Sequence, residues 1–280
     1  MAETSIIIPA HNEERVIGRL LTRLAASAGP GEFEVIVVTN GCTDRTAEIA
    51  EAHGARVVDS PIPSKWQALR LGDTVATGFP RLYVDADIEI GTDDVRALCR
   101  ALTAPGILAA APERHLPMTG RPWMVRWYYD VWTRLPDVRA ALWGRGVVAL
   151  TEEGNARLAT LPQVIGDDLV IALAFGPGES EIVSAAKVTI HPPRTAADLM
   201  RRRIRTATGG SQIDRGDQGA TVNRPKTGMG QLLRMAKAEP RLAPRVALFL
   251  GLALVAKVAA RRAVRKGDYT TWLRDESSRA

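Results

Sequence analysis

The chain is poor in the residues that build covalent or metal frameworks. Its 280 residues include two cysteines, Cys42 and Cys99, at no metal-like spacing. A disulfide framework and a cysteine-based zinc site are excluded, and a reducing cytosol is the expected setting. The opening Met-Ala-Glu-Thr has no basic stretch ahead of its first apolar residues, and the run at residues 6–8 is too short for a secretory signal, so no leader is expected. An uncharged apolar run at residues 246–256 has eleven residues, against the about 20 that a membrane span needs. There is no internal repeat and no low-complexity stretch. With 46% hydrophobic and 24% charged residues, whole-chain disorder, collagen, coiled coil and a polytopic membrane protein are excluded. The length suits one large domain or two small ones.

What is present is unevenly distributed. Residues 1–186 hold 17 Lys+Arg against 24 Asp+Glu, a charge of −7, whereas residues 187–280 hold 20 against 7, a charge of +13. A basic C-terminal third points to an anionic partner.

The first ninety residues alternate. Ser5-Ile6-Ile7-Ile8-Pro9 reads as a buried strand stopped by a turn, with Asn12 or His11 capping a helix over about 13–26. Strands follow at 34–39, 56–59 and 81–84, with helices from Thr43 or Asp44 to Ala52 and over 64–77 between them. A β-α-β-α-β-α-β order predicts an α/β fold with a central, mostly parallel sheet flanked by helices. Ligands of such sheets bind where the carboxyl ends of the strands meet the loops. His11, Asn12, Glu13, Asn40, Asp59, Asp85 and Asp87 all fall at those ends. Beyond Asp93 the pattern predicts helices at 95–102, 123–135 and 167–174, strands at 106–111, 142–150 and 181–190, and a helix from Ala196. Residues 209–230, rich in Gly, Asp, Asn and Thr, are expected to form a mobile loop that closes over a ligand.

Asp85-Ala86-Asp87 places carboxylates at i and i+2 after a strand, where both can face one cation. Mg²⁺ and similar hard ions take oxygen ligands and bridge carboxylates to phosphates. Asp167-Asp168 follows Gly166, with Asp167 free to cap a helix and Asp168 to act as a general base.

Five motifs in order resemble glycosyltransferase family 2, whose fold is the GT-A type. They are Ser5-Ile6-Ile7-Ile8-Pro9-Ala10-His11-Asn12-Glu13-Glu14, Ile36-Val37-Val38-Thr39-Asn40-Gly41-Cys42-Thr43-Asp44, Ser64-Lys65-Trp66-Gln67-Ala68-Leu69, Tyr83-Val84-Asp85-Ala86-Asp87 and Gly166-Asp167-Asp168. The resemblance is specific from 5 to 168 and looser to about 210. It implies a metal-dependent, inverting transferase of hexosyltransferase type that takes a nucleotide-diphosphate sugar donor. Pro9, Ala10 and Glu13 would line the nucleoside pocket, Asp85 would contact the ribose or metal region with Ala86 beside it in the nucleotide-sugar site, and Asp87 would bind Mg²⁺ or Mn²⁺. His191 would complete the metal shell. Lys65 would meet the diphosphate or base pocket, and Asp168 would be the base. Many members carry an aspartate pair where this chain has Thr39-Asn40. The neutral Asn40 both donates and accepts, which leaves the base of the donor open. In Arg201-Arg202-Arg203-Ile204-Arg205 the family's Gln-x-x-Arg-Trp element is only partly matched, with Arg205 at its arginine, suited to phosphate.

The expected organisation is a catalytic domain over 1–210, with a nucleotide-sugar half at 1–94 and an acceptor half at 95–210, then the loop and a basic helical extension over 211–280. The acceptor is left as a lipid-linked sugar, a polysaccharide or a small metabolite, with Trp123, Trp127, Trp143 and Arg145 as acceptor-side candidates. Apolar residues beside Arg261, Arg262, Arg265 and Lys266 suit an interfacial helix, so peripheral membrane contact through 242–266 at the inner face is one expectation. Packing against the core or in a homodimer is the other. A nucleotidyltransferase would need a glycine-rich, arginine-containing phosphate loop at the N-terminus, which is absent. A nucleic-acid partner is not expected, because the first two-thirds are acidic and no recognition element is present. A noncatalytic nucleotide-sugar binder is the remaining alternative.

Overall fold

In a computed structural model, residues 3–160, 174–213 and 228–265 are described. Asp167 and Asp168, and the helix expected over 167–174, lie outside the described residues apart from its last position, Ala174.

Eight strands form one sheet: β1 (Thr4–Ala10), β2 (Phe33–Asn40), β3 (Arg56–Ser60), β4 (Arg81–Val84), β5 (Ile88–Glu89), β6 (Ala109–His115), β7 (Val147–Leu150) and β8 (Ser180–Ile190). Their order is β3-β2-β1-β4-β7-β6-β8-β5. The four strands of the first half pair in parallel. β7 then runs antiparallel to both β4 and β6, β6 runs parallel to β8, and β5 runs antiparallel to β8. The expected mostly parallel sheet is thus parallel in its first half and mixed in its second.

Alternation along β1 divides the core between two helical layers. Ile6 and Ile8 face α1 (Ile17–Ala25) and α4 (Thr92–Ala101), in a cluster that contains Leu20, Leu24, Val95 and Leu98. Ile7 faces α3 (Lys65–Val75) with Leu69. At Gly72 a Cβ would sit 2.4 Å from Ile7 Cγ2, so this glycine sets how closely α3 lies on β1. α2 (Thr46–Ala52) packs against α1. The remaining helices are α5 (Trp123–Trp132), α6 (Pro136–Ala140), α7 (Glu152–Ala159), α8 (Ala196–Ile213), α9 (Met229–Ala238) and, after a 3-10 turn at Pro240–Leu242, α10 (Ala243–Arg265). α5 shares one apolar cluster with α9 and α10 through Val125, Tyr128, Leu232, Leu242, Val246 and Phe249. The basic extension is therefore packed on the acceptor half.

Three expectations change. Asn12 does not cap a helix starting near Glu13. It adopts φ +51°, its Oδ1 accepts from Thr43 N–H at 2.8 Å, and α1 begins at Ile17, so the side chain ties two rim loops together instead. The loop expected over 209–230 does not begin at Gly209, because the helix α8 continues through Gly209 and Gly210 to Ile213; its positions 214–227 lie outside the described residues. Each glycine costs about 1 kcal/mol in a helix, and the packing of α8 along α10 opposes that cost. Finally, the eleven-residue run belongs to a longer helix. Pro240–Arg262 is long and apolar enough by length and composition to cross a membrane, and 28% of its apolar window is buried inside the protein.

Candidate active site

The carboxyl ends of β1, β2 and β4 meet the start of β7 at one rim. Pro9, Lys65, Tyr83, Asp85, Trp143 and Arg145 line a cleft there, with Gly144 and Gly146 on either side of Arg145. Pro9 and Ala10 end β1 and are buried. Glu13 is buried in the following turn, where its N–H donates to Thr46 Oγ1 at 2.8 Å. The turn is held on its other side by Asp44, which accepts from Glu14 N–H at 3.1 Å and from Thr46 N–H at 3.1 Å.

Asn40 ends β2 and is 2% exposed. Its backbone carbonyl accepts from His11 Nδ1–H at 2.6 Å. Its side-chain Oδ1 is buried and has no hydrogen-bond partner among the described residues, an acceptor that a ligand N–H can satisfy.

Lys65 opens α3, whose first turn is capped by Ser64 accepting from Gln67 N–H at 3.3 Å. Lys65 Nζ lies 2.7 Å from Asp85 Oδ1. A buried polar network keeps α3 in place on β4. Tyr83 O–H donates to Asp73 Oδ2 at 2.6 Å, Asn155 Nδ2 donates to Tyr83 Oη at 2.8 Å, and Arg81 Nη1 donates to Asp73 Oδ1 at 3.1 Å. Burial, then the neighbouring Asp73 charge, raise the Tyr83 phenol far above its ordinary range, so it stays a neutral donor.

Asp85 N–H donates to Gly146 O at 2.8 Å, which joins β4 to the loop before β7. Gly146 has φ +68°, and a Cβ there would meet Ile88 Cγ2 at 2.7 Å; both the conformation and the space require glycine. Ala86 is buried behind the two aspartates.

β5 and β8 pair Ile88 with Ile190 and Glu89 with Thr189. Asp87 is the turn residue just before β5 and His191 follows β8 directly, so the Ile88–Ile190 pair brings both residues to one end of this short ladder. Glu89, two residues on from Asp87, accepts from His191 Nε2–H at 2.6 Å. Its carboxylate is also paired with Arg19 Nε at 3.2 Å and Arg23 Nε at 2.8 Å. Burial works to raise the Glu89 carboxyl, but His191 and the two arginines together hold it below its ordinary range. A carboxylate on one ring nitrogen leaves the other available to a cation, the usual arrangement behind a metal-binding histidine.

Among the described residues no three metal-ligating side chains converge. Asp87 and His191 fit a cation that takes its remaining ligands from diphosphate oxygens and water, as Mg²⁺ commonly does in phosphate sites.

The wall formed by residues 138–146 is held by the buried Arg145 and the half-buried Arg114, neither bonded to a carboxylate among the described residues. Arg145, 3% exposed, donates to the carbonyls of Ala141, Pro112 and Arg139 at 2.8, 2.7 and 2.6 Å. Arg114 donates to the carbonyls of Val138 and Trp143 at 2.7 and 3.2 Å and lies over the Trp132 ring. Burial, then the charge of Arg145, push Arg114 down to about 9, and burial takes Arg145 to about 10. Both remain charged at neutral pH.

The structure thus brings Pro9, Lys65, Asp85, Trp143 and Arg145 to one cleft, with Asp87 two residues beyond Asp85. Arg205 is exposed on α8, which packs on α10 and α5, and is not among the residues lining that cleft. Trp123 and Trp127 form an edge-on pair with centroids 5.0 Å apart on α5. Glu89 and Arg114 were not anticipated. Glu89 shares the i, i+2 alternation of Asp85 and Asp87, which is a usable signal; Arg114 carries none.

The sequence profile described as glycosyl transferase family 2 matches residues 5–154. An uncharacterised glycosyltransferase of Mycobacterium tuberculosis is 30% identical over 122 residues, 44% of this chain and 54% of that protein. The 4,4'-diaponeurosporenoate glycosyltransferase of Staphylococcus aureus is 41% identical over 90 residues, 30% of this chain and 24% of that protein. The chain thus spans about half the length of the first and a quarter of the second. Among solved structures, a mannosyltransferase from Pyrobaculum calidifontis in complex with GDP-Man and Mn²⁺ superposes with a TM-score of 0.61 at 20% identity, over 96% of this chain and 75% of that one. Glucosyl-3-phosphoglycerate synthase from Mycobacterium tuberculosis, with Mn²⁺, UDP-Glc and phosphoglyceric acid, superposes with a TM-score of 0.56 at 23% identity, over 78% and 82%. At these identities the likeness is one of fold.

Proposed function

The chain belongs to glycosyl transferase family 2, and on that premise we propose that it moves a sugar from a nucleoside-diphosphate donor to an acceptor hydroxyl, with inversion at the anomeric carbon. The observation that carries the reading is the Lys65–Asp85 pair in the cleft, with Asp87 and His191 at the same end of the β5–β8 ladder just beyond it.

The nucleoside enters beside Pro9, Ala10 and Glu13. Asn40 Oδ1, otherwise unsatisfied, accepts an N–H from the base, which both uracil and guanine carry on their ring edge. Lys65 turns part of its charge from Asp85 to the diphosphate. Asp87 and His191 hold a divalent cation, Mg²⁺ or Mn²⁺. The fold relatives with Mn²⁺ and GDP-Man or UDP-Glc support that choice. When bound, that cation supplies Lewis-acid stabilisation of the departing diphosphate. The acceptor oxygen attacks the anomeric carbon from the face opposite the diphosphate. The new C–O bond forms as the bond to phosphate oxygen breaks, and that electron pair leaves with the diphosphate. Asp168 takes the acceptor proton as general base. Arg205 is assigned to the phosphates on its motif alone. The acceptor is a lipid-linked sugar, a polysaccharide or a small metabolite.

The test is a donor panel including UDP-Glc and GDP-Man with Mn²⁺ or Mg²⁺, reading nucleoside diphosphate release. Turnover should appear with one donor and vanish in Asp168→Asn with donor binding kept, and Asp87→Ala should weaken metal-dependent donor binding. Failure of every donor to bind in the presence of metal would overturn the reading. Donor binding with no turnover by the wild type would leave a noncatalytic binder.

A further inference from the structure

Seven large apolar side chains are exposed among the described residues, and five of them, Met229, Leu233, Leu254, Val255 and Val258, belong to the hairpin of α9 and α10. The concentration is helical in origin. Along α10 and the turn before it, Leu242, Val246, Phe249, Ala256 and Ala260 are buried, the spacing of a stripe packed on a neighbour. Phe249 stacks on Tyr128 of α5 with centroids 5.1 Å apart, and the second half of the stripe runs along α8. The opposite side presents Ala247, Gly251, Leu254 and Val258, with Leu254 at 64% and Val255 at 54% exposure.

The charges on this helix are of one sign. Ala243–Arg265 contains five cations and no Asp or Glu. Arg245 is committed to an ion pair with Asp130 of α5. Lys257, Arg261 and Arg262 are exposed immediately beyond the apolar stretch. An apolar face continued by cations with no carboxylate partner among the described residues is complementary to a surface that is anionic outside and apolar beneath.

We propose that α10 docks in the plane of an anionic lipid surface, with Leu254, Val255 and Val258 at the headgroup–acyl boundary and Lys257, Arg261 and Arg262 on lipid phosphates. Although its length allows a span, its packing opposes one. Crossing a bilayer would carry the Arg245–Asp130 pair and the arginines of α8 into hydrocarbon along with the stripe they flank, a costly transfer. Lying flat leaves that face on the protein and exposes only the face that has no other cover among the described residues. The inference does not depend on the catalytic reading, since its test uses no donor.

The experiment is flotation of the full chain with phosphatidylcholine vesicles, with and without phosphatidylglycerol, at low and high salt. The chain should float with the anionic vesicles only, and salt or an alkaline carbonate wash should release it. Leu254→Glu with Val258→Glu should cut binding by at least about tenfold. Lys257, Arg261 and Arg262 together changed to Gln should cut it on the order of 100-fold, about fivefold for each cation. Both variants change exposed positions, so an unaltered circular dichroism spectrum is expected. Absence of flotation with anionic vesicles would overturn the proposal. So would flotation that ignores lipid charge and resists carbonate, the behaviour of a spanning helix. A fall in sedimentation mass in the Glu variant with flotation unchanged would assign the face to a second copy of the chain and also overturn it.

Discussion

Lys65 and Asp85 stand twenty positions apart in the chain, and their charged atoms are 2.7 Å apart in the cleft. The half-exposed pair contributes little to stability. Its importance lies in holding a cation beside the position where a diphosphate would arrive. Lys65→Met should raise the Kd for nucleoside diphosphate by about tenfold or more, the loss of one hydrogen bond to a charged group, with little change in Tm. Calorimetric titration with UDP and GDP measures it, and an unchanged Kd for both would remove Lys65 from the site.

Glu89 should act through His191. Its carboxylate fixes which imidazole nitrogen carries the proton and is itself steadied by Arg19 and Arg23. Glu89→Gln keeps the shape and loses the charge. It is expected to weaken Mn²⁺ binding about 10- to 100-fold, read by the electron paramagnetic resonance of free Mn²⁺, and to shift the ring ¹⁵N resonances of His191. Normal Mn²⁺ affinity with altered His191 resonances would make Glu89 a purely structural anchor.

Arg145 satisfies three backbone carbonyls behind the cleft wall. Arg145→Met strands them and should destabilise the fold by about 3 kcal/mol, visible as a lower denaturant midpoint. Arg145→Lys should recover only part of this, because an ammonium cannot span the same fork. Full recovery by lysine would show that charge, not geometry, matters there.

Glu34 gives a prediction far from chemistry. Burial acts to raise its carboxyl, but hydrogen bonds from Ser5 O–H at 2.6 Å and Thr77 N–H at 2.8 Å, with Arg56 nearby, hold it below the ordinary range. A carboxyl with a depressed folded value stabilises the protein at neutral pH, where it is ionised in both states. That contribution is lost as pH falls from the ordinary glutamate value, about 4.3, through the lower folded one. Glu34→Gln should therefore be less stable than the wild type at pH 7 and converge on it in acid. Parallel stability–pH curves for the two proteins would contradict this.

The parallel half of the fold was legible because each strand there is a short β-branched run ended by a turn, and β1, β2 and β3 lie side by side in sequence order, with β4 on the other side of β1. Asp85, Asp87 and Lys65 could be placed on one rim from that pattern alone. The second half could not be read so far. β5 has two residues and exists only through its antiparallel pairing with β8, a contact no local pattern announces, so Glu89 went unseen. Arg145 read as an acceptor-side candidate and Arg114 gave no signal, because a guanidinium that satisfies carbonyls leaves no partner residue to find. The length of α10 was hidden by Arg245 and Lys257, which bound its uncharged run without ending the helix.

The hydrogen bond from Asp85 to Gly146 closes a circuit of some sixty residues on a single seam between β4 and β7. The residues nearest its two ends, Asp87 and Glu89 after the start and Trp143 and Arg145 before the finish, belong to the candidate site, so the seam returns distant stretches of chain to one place. Exposed loops between the elements inside the circuit can lengthen or shorten without moving the seam, provided both ends keep the same register. On the proposed function, those loops are where insertions would alter acceptor choice while the donor side stays in place.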